Sequence, residues 1–516
     1  MTSPGRHVER ESTLAVGASF TVPELDGVAG RTVALPDQHT VTRYVDTADQ
    51  RLWRRAVTLR HRSGEGPGDG TWTLKLPADE VGDPGTVSTL DRMELTWPGR
   101  PETVPDAAVR VLHGLVRRDA LTPMAELHSI RRRLLLQDPS GTSWGELDDD
   151  TVTVSWGGSS FRQIEVELVG EGPAHLDEVV EALRAAGARP DPETKVAKAL
   201  RLSGRSGTAP PRVEVGPRST MGDLVRDAIG RGVDQLVDHD VRLRLDSADP
   251  APEDVHQARV ATRRLRSDLQ LVGGALDPVW LAHTRAELRW LGGVLGTVRD
   301  ADVLSGSLRA AGSVLEAGGT LELRASLDDR RRAAARELAA ALEDPRYLAL
   351  LDQLEAASVH PPLARPTRGH GTRTEKRPAA ATARSVLPRL VRRRYRALRR
   401  AVRSAGRHPT DQQLHRIRIR AKQLRYSAES AVPVLGAPAG RLAAAAEDLQ
   451  SVLGEHHDSV AAELWLRRQV ASGSRSSAFS AGVLVAGEHR LQRRLRHRWR
   501  PVADRLDRPS VRRFLR

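Results

Sequence analysis

At 516 residues, with 80 basic against 66 acidic side chains and no cysteine, the chain is too long for one compact core and carries a net charge of +14. The absence of cysteine excludes a disulfide framework and any thiolate metal site. No run of about 18 apolar residues occurs, and the opening MTSPGRHVERESTLAV has no apolar signal core, so a cytoplasmic protein with no membrane span is expected.

Charge is spread unevenly. Residues 1–200 hold 23 basic and 31 acidic side chains, net −8, and the remainder holds 57 and 35, net +22. Only five of the basic residues are lysine. An asymmetry of this size predicts two domains with different work, the basic one facing a polyanion.

The first 200 residues read as strands. Segments rich in β-formers recur at 40–45, 56–62, 71–76, 92–97, 131–136, 151–156 and 161–169, separated by Gly/Pro/Asp clusters such as SGEGPGDG (63–70). Helical patterns intervene near 105–120 and 174–187, the second ending at Gly187 with Pro190 just beyond. So many short strands favour a sheet that closes on itself. Charges alternate along these strands. Glu9 and Glu11 share a face, as do Glu165 and Glu167, Arg60 and Arg62, and Arg131 and Arg133. Pointing inward, such carboxylates suit a hard divalent cation (Mg²⁺ or Mn²⁺), and the cations suit a short polyphosphate bridged to it. Pointing outward, they are solvated faces.

The order of phrases resembles the CYTH family of triphosphate tunnel enzymes: VERES near the start, YVDT (44–47), TLRHR (58–62), TLK (73–75), RME (92–94), ELDDD (146–150), FRQIEVEL (161–168) and TKVAKAL (194–200). The resemblance spans about 7–201 and implies an eight-stranded β-tunnel that binds triphosphate with a divalent metal held by glutamates. It implies that Glu9, Glu11, Glu165 and Glu167 serve the metal and the activated water. Arg60, Arg62, Lys75, Arg92, Arg131, Arg133 and Lys195 would hold phosphates, and Asp148 would help order the tunnel. One departure is clear. The family opens with E-x-E-x-K, and this chain has Glu9-Arg10-Glu11-Ser12-Thr13, a hydroxyl where the family has an ammonium.

Residues 203–219, SGRSGTAPPRVEVGPRS, read as a linker, and from Met221 long Ala/Leu/Arg segments with helical periodicity take over. A second break falls at 360–385. The expected organisation is α+β: a tunnel domain at 1–202, a linker at 203–217 and a helical domain at 218–516 with repeats at about 218–358 and 384–516. The repeats are visible as paired phrases. His256, Arg259, Arg263 and Arg266 match His415, Arg418, Lys422 and Arg425 at a constant offset of 159, and VLGTVRDADV (294–303) matches VLGEHHDSV (452–460) at 158. Positions i, i+3, i+7 and i+10 fall on one helix face over roughly 15 Å, so each copy presents a cationic stripe. Asp300 and Asp458 supply part of a counter-charge, and guanidinium groups grip phosphate oxygens bidentately. His456, His457 and Asp458 do not suit one metal ion, because adjacent helical residues point about 100° apart.

This doubled H-x2-R-x3-[RK]-x2-R, each copy followed by LG-x2-[RH]-D, resembles the CHAD family (conserved histidine α-helical domain) over roughly 218–516. The resemblance implies all-α bundles related by pseudo-twofold symmetry, with a basic groove between them for inorganic polyphosphate. The eight stripe residues would line that groove, with Arg264 and Tyr426 beside it, and the protein would sit with polyphosphate granules. Together the halves predict a polyphosphate-binding protein with a Mg²⁺- or Mn²⁺-dependent triphosphate hydrolase-like domain. Thr13 keeps open a non-catalytic polyphosphate scaffold. Nucleic acid is a weaker partner, since aromatics are only 3% of the chain and offer few stacking platforms. Cyclase chemistry on ATP is allowed by the resemblance alone.

Overall fold

The computed structural model describes residues 5–9, 11–66, 68–77, 92–168, 173–205, 213–311, 317–365, 367–368, 375–376 and 378–515. The chain forms two compact units, Met1–Ala209 and Pro210–Arg516. Among the described residues no helix is long and apolar enough to cross a membrane.

The first unit is built on one antiparallel sheet. Its strands are β1 (Gly5–Glu9), β2 (Glu11–Val16), β3 (Arg31–Asp46), β4 (Thr58–Ser63), β5 (Thr71–Pro77), β6 (Arg92–Pro98), β7 (Thr122–Gln137), β8 (Ser143–Val154), β9 (Ser160–Leu168) and the two-residue β10 (Arg189–Pro190). The spatial order is β1-β6-β5-β4-β3-β7-β8-β9-β2-β10. Four helices accompany it: α1 (Asp26–Ala29), α2 (Asp106–Val116), α3 (Pro173–Ala185) and α4 (Lys195–Leu202).

The expected closed tunnel of about eight strands needs correcting. Among the described residues the hydrogen-bonded order is open, and ten strand segments take part. β1 pairs with β6 and β2 with β9, yet β1 and β2 are successive pieces of one N-terminal segment. Chain continuity between them, rather than a ladder, ties the two flanks of the sheet together.

Alternation along β9 sets the layers. Ile164, Val166 and Leu168 enter a core with Leu136, Leu147, Trp144 and the α3 residues Leu176, Val179 and Leu183. Gln163, Glu165 and Glu167 therefore take the other face, where they line a cavity. A second core, of Tyr44, Leu127, Val152, Val196 and Leu200, seats α4 against the sheet. That seating brings Lys195, at the first turn of α4, to the cavity.

The second unit is helical. Its first half holds α5 (Met221–Leu245), α6 (Pro252–Val272), α7 (Pro278–Ala311), α8 (Ala317–Glu343) and α9 (Pro345–Val359). The second half holds α10 (Ala383–Ser404), α11 (Asp411–Glu429), α12 (Val432–Leu435), α13 (Ala437–Ser472), α14 (Arg475–Arg505) and α15 (Pro509–Arg512). α6 packs on α7 as α11 packs on α13, which is the pairing the repeated phrases require. Thr410 caps α11 through a reciprocal box with Gln413. The halves share a core in which Leu304, Leu323 and Leu327 of α7 and α8 meet Trp465, Leu466 and Ala481 of α13 and α14.

Candidate functional site

Two sites emerge, one in each unit. In the first, Arg60, Arg62, Lys75, Arg131 and Lys195 line one cavity together with Thr13, Asp148, Glu165 and Glu167. The register explains the grouping. Arg133, Asp148, Glu165 and Thr13 occupy one row across β7, β8, β9 and β2, and Leu135, Glu146, Glu167 and Glu11 occupy the next. Acidic side chains that face one another across a ladder repel unless a cation stands between them, and Arg133 meets Glu146 in this way.

The deepest part is a charge network. Arg131 grips Asp150 bidentately at 2.9 Å through Nε and Nη2, touches Asp148 through Nη1, and lies 3.6 Å from Glu165. Lys195 Nζ donates to Asp150 and Glu165, each at 2.5 Å. The other Glu165 oxygen accepts from Gln163 at 2.8 Å, and Gln163 in turn accepts from Lys198 at 2.8 Å. Burial disfavours the Asp150 carboxylate, but Lys195 and Arg131 hold it far below the usual range. Asp148 shares Arg131 with Asp150 on poorer terms. Burial first, then Asp150 and Glu146, push its carboxyl up to about 8. Near the mouth, Arg62 bonds Thr42 and Glu65, and Lys75 pairs with Glu94 across the ladder. Burial favours a neutral Tyr44, yet Arg60 and Arg62 hold its hydroxyl below the ordinary phenol range.

Some expected residues stand elsewhere. Arg133 turns to Glu146 at 2.5 Å and does not line the cavity. The side chains of Glu9, Glu11 and Arg92 lie outside the described residues. Among the described side chains, no group of three acidic or histidine residues is placed to cage a metal. Sequence reasoning missed Gln163 and Asp150. Both sit two residues from a flagged charge on the same strand face, a signal that was available.

In the second unit, the stripes of α6 and α11 open on one cleft of about 430 Å³. Arg259, Arg263, Arg418 and Lys422 line it, joined by Arg299, Arg330 and Arg468, against two acids, Asp300 and Asp458. The repeated phrases acquire a physical meaning here. The glycine of each LG leaves room for a guanidinium: a Cβ at Gly296 would lie 3.5 Å from Arg259, and one at Gly454 would lie 3.7 Å from Arg418. The aspartate four residues later faces the same arginine, Asp300 at 3.8 Å from Arg259 and Asp458 at 3.9 Å from Arg418. These are loose pairs, and they leave most of the positive charge uncompensated.

That excess registers on Lys422, two of the arginines and three histidines. Burial, then Arg263 and Arg418, push the Lys422 ammonium down to about 6. Burial, then Arg418 and His415, push His457 down to about 4. Burial also lowers Arg259, Arg418, His256 and His415, and cationic neighbours add to it. His256 lines the cleft with its Nδ1 buried and unpartnered, whereas His415 meets His457 at 3.2 Å. Arg425 does not line the cleft. It is held by Glu429 at 2.7 Å and Glu447 at 3.0 Å, with Tyr426 buried beneath it. Arg264 pairs with Glu429 at 3.1 Å, and Arg266 points beyond the cleft towards Arg285 and Arg289. His456 contacts Asp411 instead of joining His457 around a metal.

Comparison with known proteins fits this division. A CYTH domain model matches residues 33–200 and a CHAD domain model matches 227–467. An uncharacterized protein of Mycobacterium tuberculosis (strain CDC 1551 / Oshkosh) is 32% identical, the alignment covering 98% of this chain and 97% of that protein. The solved CHAD domain from the plant Ricinus communis is 24% identical, covering 60% of this chain and 97% of that one, with a TM-score of 0.44. A Hippeastrum protein assigned as an adenylyl cyclase and described as having a dominant triphosphatase activity is 17% identical, covering 39% of this chain and 98% of that one, with a TM-score of 0.27. With both domain models matched in order and a relative of this identity aligned almost end to end, the chain belongs to the family of proteins that join a CYTH domain to a CHAD domain.

Proposed function

We propose that the chain binds inorganic polyphosphate through its CHAD domain and hydrolyses a terminal phosphoanhydride of a short triphosphate in its CYTH domain. The observation that carries this reading is the cleft with seven basic side chains against two acidic ones, assembled from both repeats. A polyphosphate supplies the missing negative charge at every step along such a surface, and arginine grips its oxygens in pairs.

In the CYTH cavity, Arg60, Arg62, Lys75, Arg131 and Lys195 would offset the charge of the phosphates. Glu165 and Glu167, two residues apart on β9 and both lining the cavity, offer hard oxygen donors that suit Mg²⁺ or Mn²⁺. Glu9, Glu11, Glu165 and Glu167 would hold that cation, which when bound supplies Lewis-acid charge to the phosphates. Burial opposes the Glu165 carboxylate, but Lys195 and Arg131 hold its pKa down, so it is ready to orient water without first losing a proton. Thr13 stands opposite Glu165 in the register and offers a hydroxyl at that position. It favours the second reading, in which the cavity binds triphosphate without turnover.

The test is phosphate release from tripolyphosphate by the full chain with Mg²⁺ or Mn²⁺, beside Glu165→Ala. Turnover that falls by roughly a hundredfold or more in the variant is expected, in line with losing a positioned carboxylate. Binding of triphosphate with no release by the native chain would leave the non-catalytic reading.

Polyphosphate binding should also be linked to protons. Lys422 is largely neutral in the free cleft above pH 6, and an anion beside it restores its charge, so binding takes up a proton. Affinity is therefore expected to rise as pH falls from about 8 towards 6, by up to about tenfold per pH unit, and to flatten below it. Lys422→Arg should remove this part of the slope. An affinity independent of pH in the native chain would contradict the assignment.

A further inference from the structure

Duplication makes α5 and α10 counterparts, the opening helix of each half, yet their charges diverge. α5 carries four arginines and five aspartates, and α10 carries nine arginines and no acidic residue. Like charges three and four residues apart repel, so α10 is costlier to fold than its counterpart unless something meets that charge. Asp507 meets Arg399 and also accepts from Tyr395 at 2.5 Å. Arg394 has no acidic partner among the described residues. It is half-buried beside Arg393 and Arg420, within electrostatic reach of Arg285 on α7.

Arg285 and Arg289 lie four residues apart on the α7 face that continues through Gly292 and Gly296 to Arg299 and Asp300 at the cleft. Opposite them on α6 stands Arg266, the stripe residue that the cleft leaves out, with Arg263 next along the stripe. The Nε atoms of Arg263 and Arg285 are buried without a hydrogen-bond partner. Arg266, Arg285 and Arg289 likewise have no acidic partner among the described residues.

Resting on the cleft reading above, we infer that Arg266, Arg285, Arg289, Arg394 and Arg420 form a second polyanion-binding surface, continuous with the cleft through Arg263. A phosphate chain long enough to overrun the cleft continues along the α6–α7 seam onto α10. The domain thereby favours long polyphosphate over short. The chemistry favours polyphosphate over nucleic acid, because the nearby aromatics are engaged: Trp290 is stacked under Arg346, and Tyr395 is bonded to Asp507.

The experiment compares the full chain with Arg285→Ser/Arg289→Ser/Arg394→Ser and with the cleft variant Arg259→Gln/Arg418→Gln. Probes are long-chain polyphosphate and tripolyphosphate, with a single-stranded oligonucleotide as competitor. The triple variant is expected to bind long chains at least about tenfold more weakly, with a log–log salt slope shallower by roughly two, while tripolyphosphate affinity stays within about twofold. The matching triple Arg→Lys variant should keep most of the long-chain affinity, which separates charge loss from misfolding. Native-like long-chain binding by the triple serine variant, with the cleft variant impaired, would overturn the second surface and leave the cleft standing. A cleft variant that binds long-chain polyphosphate normally would overturn the cleft reading itself. Displacement of long polyphosphate by the oligonucleotide at equal phosphate concentration would reassign the surface to nucleic acid.

Discussion

Lys195→Met is expected to destabilise the CYTH domain by about 3–5 kcal/mol at pH 8 and to abolish tripolyphosphate turnover. The ammonium it removes lies 2.5 Å from both Asp150 and Glu165, and Asp150 is fully buried. Placing Lys195 there is costly in itself, because burial opposes its charge, but the two carboxylates more than compensate. Methionine retains the stem's bulk and takes away the charge, which leaves two carboxylates facing each other with only Arg131 between them. Breaking a buried pair from one side costs more than the pair contributes net, since the remaining charge stays desolvated.

The pH dependence gives this prediction its sign. Asp150 and Glu165 have their folded-state pKa held down, by Lys195 and Arg131 against burial. Their contribution is therefore present above the unfolded carboxylate pKa of about 4 and is lost as pH falls below it. In the variant the carboxylates can take up protons instead, so the deficit against the native chain should shrink between pH 8 and pH 4. Denaturant unfolding of the full chain at the two pH values measures it. A deficit below about 1 kcal/mol at pH 8, or one that grows in acid, would show that Lys195 is not the group holding this network.

This network also marks where sequence reading stopped. Strand alternation in QIEVEL was legible, because Ile164 and Val166 alternate with Glu165 and Glu167 at a period of two and the core takes the apolar set. The run Asp148–Asp149–Asp150 was not legible as strand, since aspartate is among the poorest β-formers. It lies in the middle of β8 because each member has a cationic partner across the ladder: Arg131 for Asp148 and Asp150, and Arg162 for Asp149 at 2.6 Å. Those partners are distant in sequence, so local propensity could not anticipate them. The same holds for closure. Regular strand spacing argued for a ring, and nothing local revealed that one N-terminal segment would divide its pairing between β6 and β9. In the helical half the duplication carried more. A fixed offset placed Arg259 and Arg418 equivalently, and each meets its own glycine and aspartate. The offset treated Arg425 and Arg266 as equivalent too, and tertiary context separated them: Glu429 and Glu447 claim the first, whereas cations surround the second.

Arg259→Gln/Arg418→Gln should weaken polyphosphate binding by roughly 10²–10⁴-fold, taking each charge-assisted contact as worth about 1.5–3 kcal/mol. The same variant should be at least as stable as the native chain. Both guanidiniums have their pKa lowered in the folded protein, by burial first and then by neighbouring cations, so the free cleft is strained by its own charge. Removing two of those charges relieves Lys422, which is otherwise pushed down to about 6 by burial and by Arg263, Arg418 and Arg259. Asp300 and Asp458 lose loose partners at 3.8 and 3.9 Å and stay substantially exposed, so little is given up in exchange. Opposite signs for binding and stability are what a cleft built for an absent polyanion requires, and a merely structural pair of arginines would lower both. Calorimetric titration with polyphosphate and thermal unfolding of the same two proteins decide between them. A variant that binds normally, or one that loses stability in step with binding, would return these arginines to the scaffold.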